Sequence, residues 1–138
     1  MRIFITGAAG FIGTATTQEL IANGHKVLGL ARSDENAKAL EKAGAEVHRG
    51  SLEDLDSLRK GARETDGTIH LAFIHDFANF AECGQIDKRA IDAMGTALAG
   101  SNKPFIVTSG TLLVAPGKMA TEQDPIGANF SVGRLAPF

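Results

Sequence analysis

The sequence predicts an α/β fold, a doubly wound parallel sheet of about five strands in the order 3-2-1-4-5. Three observations carry that expectation. Short apolar runs alternate with segments of helical periodicity from the first residues to residue 108. A glycine-rich turn, Gly7, Ala8, Ala9, Gly10, Phe11, Ile12 and Gly13, joins the first apolar run to the first helical segment. Crossovers between parallel strands are right-handed, which leaves this strand order as the usual arrangement.

The elements follow in order. Residues 2–6 form a short apolar strand. Residues 11–23 place Ile12, Ala15, Thr16, Leu20 and Ile21 near 3.6-residue spacing, a helix that stops at Asn23-Gly24. Residues 25–30 are the second strand. Ser33 or Asp34 caps a second helix that runs to Ala43, and Gly44 supplies its left-handed exit. Residues 45–48 are the third strand. A third helix over 54–62 turns Leu55 and Leu58 inward. Residues 68–72 are the fourth strand. A fourth amphipathic helix covers 85–99, with Ile86, Ala90, Ile91, Met94 and Leu98 on its apolar face, and 104–108 are the fifth strand. Past residue 115, Pro116, Pro125 and Pro137 break the periodicity, so residues 1–138 read as one domain with an irregular tail.

Composition narrows the function classes. A chain of 138 residues with 43% hydrophobic and 22% charged residues suits one globular core. The net charge of -2 gives no reason to expect a nucleic acid or an anionic membrane as partner. No apolar run approaches the roughly 20 residues of a membrane helix, and the N-terminal run is too short for a signal peptide. Cys83 is the single cysteine and makes no internal disulfide, which fits a reducing, cytoplasmic setting. Cys83 has no partners at metal-ligand spacing. His48, His70 and His75 fall near strand ends without a partner assigned by spacing, and no metal site is expected.

The glycine turn carries the chemistry. Gly7 lets the chain leave the strand in a tight turn, Gly10 lets backbone come close to a ligand, and Gly13 lets the helix pack closely. The helix start then offers unpaired N–H groups and a partial positive charge, which suits a pyrophosphate. Glycines in a βα turn can also serve packing alone. The strand-then-helix context favours a dinucleotide site in which Gly7, Ala9, Gly10, Phe11, Ile12 and Gly13 surround the phosphates. At the end of the second strand the chain reads Leu30, Ala31, Arg32, Ser33, with no acid before Asp34. An acid there favours the ribose 2′-OH of NAD, and an arginine favours the 2′-phosphate of NADP. Arg32 and Ser33 therefore predict NADP over NAD, with a solvent-exposed arginine as the plain alternative.

The run from Thr6 to Gly13 resembles the T-G-x-x-G-F-I-G signature of extended short-chain dehydrogenases/reductases, a superfamily that includes epimerases and dehydratases. The resemblance extends to about residue 115 and implies a Rossmann domain. It also implies roles by position. Ser51 and Leu52 stand where relatives often carry an aspartate-leucine pair against the adenine, and helix capping is the alternative for Ser51. The segment His70, Leu71, Ala72, Phe73 implies passage beneath the adenosine ribose and the nicotinamide side, with Ala72 and Phe73 against the cofactor. His70 itself reads as a structural histidine rather than a base.

Relatives place a serine or threonine near the end of the fifth strand and a Tyr-x-x-x-Lys pair about 25 residues on. Here Thr108 stands by the cofactor, and the catalytic hydroxyl falls in register at Gly110, between Ser109 and Thr111. Either of those two is a displaced candidate, and turn or capping hydroxyls are the alternative. The sequence contains no tyrosine. Phe130 and Arg134 copy the Tyr-x-x-x-Lys spacing without an acid, so the match reads as chance.

The resemblance implies an NAD(P)-dependent oxidoreductase, or its cofactor half, acting on a carbonyl, alcohol or nucleotide-sugar-like substrate. A non-catalytic dinucleotide sensor of the NmrA type and a truncated inactive product are the alternatives. The fifth strand is expected to be an edge, which predicts a homodimer through that edge or its cover by the tail.

Overall fold

The computed structural model describes residues 1–110 and 118–124. Five strands, β1 (Arg2–Thr6), β2 (Lys26–Ala31), β3 (Glu46–Arg49), β4 (Gly67–His70) and β5 (Phe105–Val107), form one parallel sheet in the order β3-β2-β1-β4-β5. Four helices connect them: α1 (Phe11–Ala22), α2 (Asp34–Lys42), α3 (Leu55–Arg63) and α4 (Phe80–Leu98).

β1 is central and pairs with β2 on one side and β4 on the other. Its side chains alternate across the sheet. Phe4 packs with Leu58 and Ala62 of α3 and with Ala90, Met94 and Leu98 of α4. Ile3 and Ile5 pack on the opposite face with Ala37 and Leu40 of α2, and Leu20 and Ile21 of α1 join them. The two cores make β1 near-continuously apolar, as a strand covered on both faces must be.

Local signals end the helices as the sequence suggests. Ser33 caps α2 by accepting the N–H of Asn36 at 3.2 Å. Gly24 and Gly44 follow α1 and α2 at positive φ. Strand limits move by a residue or two, and α4 departs most from expectation. It begins at Phe80, five residues before Gln85, because Asp76 caps a short 3-10 turn over Phe77–Asn79 that leads into it. Cys83 and Gly84 are buried within this added length, and Asp87 one turn further on. β5 pairs with β4 and is the sheet edge among the described residues, with Ile106 56% exposed.

Candidate functional site

Parallel strands of an open sheet present their C-terminal ends at one edge, and ligands bind there. The groove begins where β1 ends. Gly7 has φ +73°, and a Cβ on it would stand 2.8 Å from the Ala72 nitrogen. Gly13 is tighter still, since a Cβ there would lie 1.9 Å from the Gly7 carbonyl oxygen. The third glycine of the motif thus packs the helix against the turn itself. Gly10 donates its N–H to the Gly7 carbonyl at 2.9 Å and closes the turn.

Gly10 is also the N-cap of α1, with no side-chain cap, and the first turn of the helix holds no acid. The N–H groups of Phe11, Ile12 and Gly13 have no acceptor among the described residues; the first to find one is Thr14, bonded to the Gly10 carbonyl at 2.8 Å. Uncapped N–H groups at the positive end of a helix dipole suit an anion. Phe11 is 99% exposed beside them.

A cavity of about 570 Å³ adjoins Gly7 and runs across the ends of β2 and β3. It brings together Gly7, Arg32, Ser51, Leu52, Ala72 and Phe73 of the residues expected from sequence. Ser33 caps α2 rather than lining the cavity, and it places Asn36, one turn on, in the wall. Ala9, Gly10, Phe11, Ile12 and Gly13 belong to the adjoining turn. Thr108 is half-buried and donates its N–H to the His70 carbonyl at 3.1 Å, beside the end of β4. Ser109 is exposed. Thr111, Phe130 and Arg134 lie outside the described residues.

Electrostatics distinguish the cations here. Arg49 pairs with Asp34 at 2.7 Å, on the exposed surface. Arg32 is exposed and makes no ion pair among the described residues. The acid nearest in sequence to Arg32 therefore already has a partner.

Ser51 does not cap α3. Asp54 does, accepting the Ser57 N–H at 3.0 Å. The Ser51 Oγ accepts the N–H groups of Glu53 and Asp54, both at 3.3 Å, which leaves its hydroxyl hydrogen to donate into the cavity.

The opposite wall follows β4. His75 and Asp76 line it beside Phe73. Phe73 meets the His75 ring edge-on at 5.2 Å and the Phe80 ring at 5.6 Å. The Asp76 carboxylate accepts from the Asn79 side chain at 2.9 Å and the Ala78 N–H at 3.0 Å, and these bonds hold its carboxyl below the usual carboxylate range.

The histidines have structural partners. His48 Nε2 lies 2.9 Å from the Ser57 carbonyl oxygen and 3.0 Å from its hydroxyl. His70 is fully buried between Thr6, at 2.6 Å from Nδ1, and Asp87, at 3.0 Å from Nε2. The sequence reading missed Asn36, His75, Asp76 and Asp87. Asp87 left one signal, a carboxylate one residue from Ile86 within the predicted helix. Among the described residues no cluster of His, Cys, Asp and Glu is suited to a metal ion, and no helix is long and apolar enough to cross a membrane.

A parallel sheet of this order, with a tight glycine turn and an uncapped helix start beside a cavity, defines a dinucleotide-binding type of fold. The profile of the NAD dependent epimerase/dehydratase family matches residues 3–119, and the chain belongs to that family. An uncharacterized protein of Saccharomyces cerevisiae is 54% identical over 137 residues, which cover 97% of this chain and 46% of that protein. A sterol-4-alpha-carboxylate 3-dehydrogenase, decarboxylating, of Dictyostelium discoideum is 40% identical over 71 residues, 51% of this chain and 22% of the relative. Among solved structures, UDP-glucose 4-epimerase from Bifidobacterium longum in complex with NAD+ and UDP superposes with TM-score 0.73 at 22% identity. The superposition covers 93% of this chain and 43% of that one, and at that identity the likeness is one of fold. The chain spans less than half the length of each of these proteins.

Proposed function

We propose that this chain binds NADP(H) and forms the cofactor-holding part of an oxidoreductase acting on a carbonyl or alcohol. The observation that carries the binding claim is the glycine turn. Its Cβ-intolerant packing at Gly7 and Gly13 presents the uncapped start of α1 next to the cavity. The N–H groups of Phe11, Ile12 and Gly13 would hold the cofactor's pyrophosphate, and Ser51, Leu52, Ala72 and Phe73 would line the adenosine, with the Ser51 hydroxyl free to donate to the adenine. Arg32, with Asn36 and Ser33 at the start of α2, receives the 2′-phosphate.

When bound, the dinucleotide supplies a hydride donor or acceptor. The chain's own residues bind and orient it. The membership in an NAD dependent family and the likeness to a named sterol dehydrogenase support an oxidoreductase. The substrate class is carbonyl or alcohol in general; nucleotide sugars remain within it through membership in the epimerase/dehydratase family.

A second reading has one observation in its favour. These 138 residues contain no tyrosine, the acid that the family resemblance implies, while the glycine turn is intact. A dinucleotide sensor without turnover fits that combination. Calorimetric titration with NADPH and NADH, followed by cofactor oxidation with a panel of aldehydes and ketones, tests both readings. Turnover by this chain excludes the sensor, binding without turnover fits the sensor or a cofactor-holding part that lacks the acid, and binding of neither cofactor overturns both.

A further inference from the structure

We infer that Thr6, His70 and Asp87 form a positioning network for the dinucleotide, which sets the spacing between Gly7 and Ala72 at the floor of the cavity. The inference rests on the dinucleotide reading of that cavity. All three side chains are almost completely buried, on three different elements: β1, β4 and α4.

Donor and acceptor chemistry orders the network in one direction. Asp87 presents a carboxylate oxygen 3.0 Å from His70 Nε2, so Nε2 carries the proton. In the neutral ring, Nδ1 is then an acceptor, and the Thr6 hydroxyl donates to it at 2.6 Å. The Thr6 oxygen accepts the Ala72 N–H at 3.3 Å. Each donor thus has an acceptor, from Ala72 through Thr6 and His70 to Asp87. A chain so satisfied in a low-dielectric interior fixes its members more firmly than separate pairs would.

Its location gives it a task beyond holding strands together. The sheet already does that: Thr6 pairs with His70 in the β1–β4 register, and the Leu71 N–H reaches the Thr6 carbonyl at 3.1 Å. One residue further the ladder gives out and the strands part to make the groove. There the side-chain network takes over, because the next N–H, of Ala72, reaches the Thr6 hydroxyl. Ala72 and Gly7 are the pair whose backbones leave no room for a Cβ on Gly7, and both line the cavity. Neither His70 nor Asp87 lines it. They act through Thr6 and Ala72.

The test uses Thr6→Val, which keeps the shape and removes the hydroxyl, Thr6→Ser, which restores it, and Asp87→Asn. Dinucleotide affinity is read by calorimetry at a temperature where circular dichroism shows each variant folded. The His70 tautomer is read by 15N NMR of the imidazole. We expect Thr6→Val to bind NADPH and NADH each about tenfold more weakly, the order of one lost hydrogen bond, and Thr6→Ser to recover most of that loss. Asp87→Asn replaces an acceptor-only carboxylate with an amide that can accept or donate, and is expected to populate both tautomers and weaken binding. The unaltered chain is expected to show the Nε2–H tautomer alone, a readout that needs no variant to fold. An Nδ1–H tautomer in the unaltered chain overturns the inference. So does Thr6→Val binding as tightly as the parent, or Thr6→Ser failing to recover the loss. Should the unaltered chain bind neither NADPH nor NADH, the dinucleotide reading itself fails, an outcome distinct from a parent that binds and variants that match it.

Discussion

The two walls of the cavity are built by different means. On one side, the β1–α1 turn is shaped chiefly by backbone: Gly7 at positive φ, and Gly13 against the Gly7 carbonyl. On the other, residues 71–80 are held by side chains: Thr6 and His70 beneath Ala72, Asp76 capping the 3-10 turn, and Phe73 against His75 and Phe80. The first wall tolerates no Cβ at Gly7 or Gly13, and the side chains that bond its carbonyls, Thr14 to Gly10 and Thr17 to Ala8, come from α1 itself. The second tolerates conservative change wherever the hydrogen bonds survive. A ligand that lies between them meets a rigid phosphate seat and an adjustable cover.

Gly13→Ala is the strongest way to break that contrast. Its methyl would stand 1.9 Å from a backbone oxygen, which no side-chain rotation relieves. Binding of both NADPH and NADH should fall about a hundredfold or more, with about 1–3 kcal/mol lost from stability through overpacking. Near-parental affinity in a calorimetric titration of this variant would show that the turn is not the phosphate seat.

Arg32→Asp tests the side of the cavity that reads the 2′-phosphate. Loss of a charge-assisted contact, worth about 1.5–3 kcal/mol, should weaken NADPH by about ten- to a hundredfold. NADH should change little. An equal loss for both cofactors would mean that Arg32 does not discriminate.

The smallest effect concerns pH and the adjustable wall. Hydrogen bonds from Asn79 and Ala78 hold the Asp76 carboxyl below the usual carboxylate range. A carboxyl lowered by folding contributes stability above its unfolded pKa of about 3.9, and the contribution is lost as pH falls through the lowered folded value. Protection of the Ala78 amide, its exchange rate relative to an unstructured amide at the same pH, should therefore be held at neutral pH and lost only in that acid window, without change at Gly10. Asp76→Asn should exchange faster at neutral pH and lose this acid dependence. Parallel loss of protection at Ala78 and Gly10 would show that the walls do not move independently.

The same contrast explains what was legible in the sequence. Backbone requirements leave glycines at fixed spacing, so Gly7, Gly10 and Gly13 announced the turn and its strand-helix context. Alternation and helical periodicity marked the elements, and right-handed crossovers ordered the strands. The place of Arg32 in the cavity wall and the Ser33 cap were readable because both lie within a residue or two of a strand end. Side-chain networks leave no such spacing. Thr6 and His70 are 64 positions apart, and His70 and Asp87 are 17, so only the fold joins them. The early start of α4 was hidden for a local reason. Phe77, Phe80 and Cys83 fall at three-residue spacing through a 3-10 turn and a helix start, and Phe77 is exposed, so no continuous helical stripe marks the segment. Ser51 looked like a cap because a serine before a helix often is one; Asp54, nearer the first turn, took that place.

The central claim is that the uncapped start of α1 and the adjoining cavity hold one dinucleotide. Calorimetric titration of the chain with NADPH, and separately with NADH, tests it most directly. Saturable binding at one site, tighter for NADPH, is the predicted result. Absence of heat and of competition between the two at millimolar concentration, with the chain shown folded by circular dichroism, would contradict it.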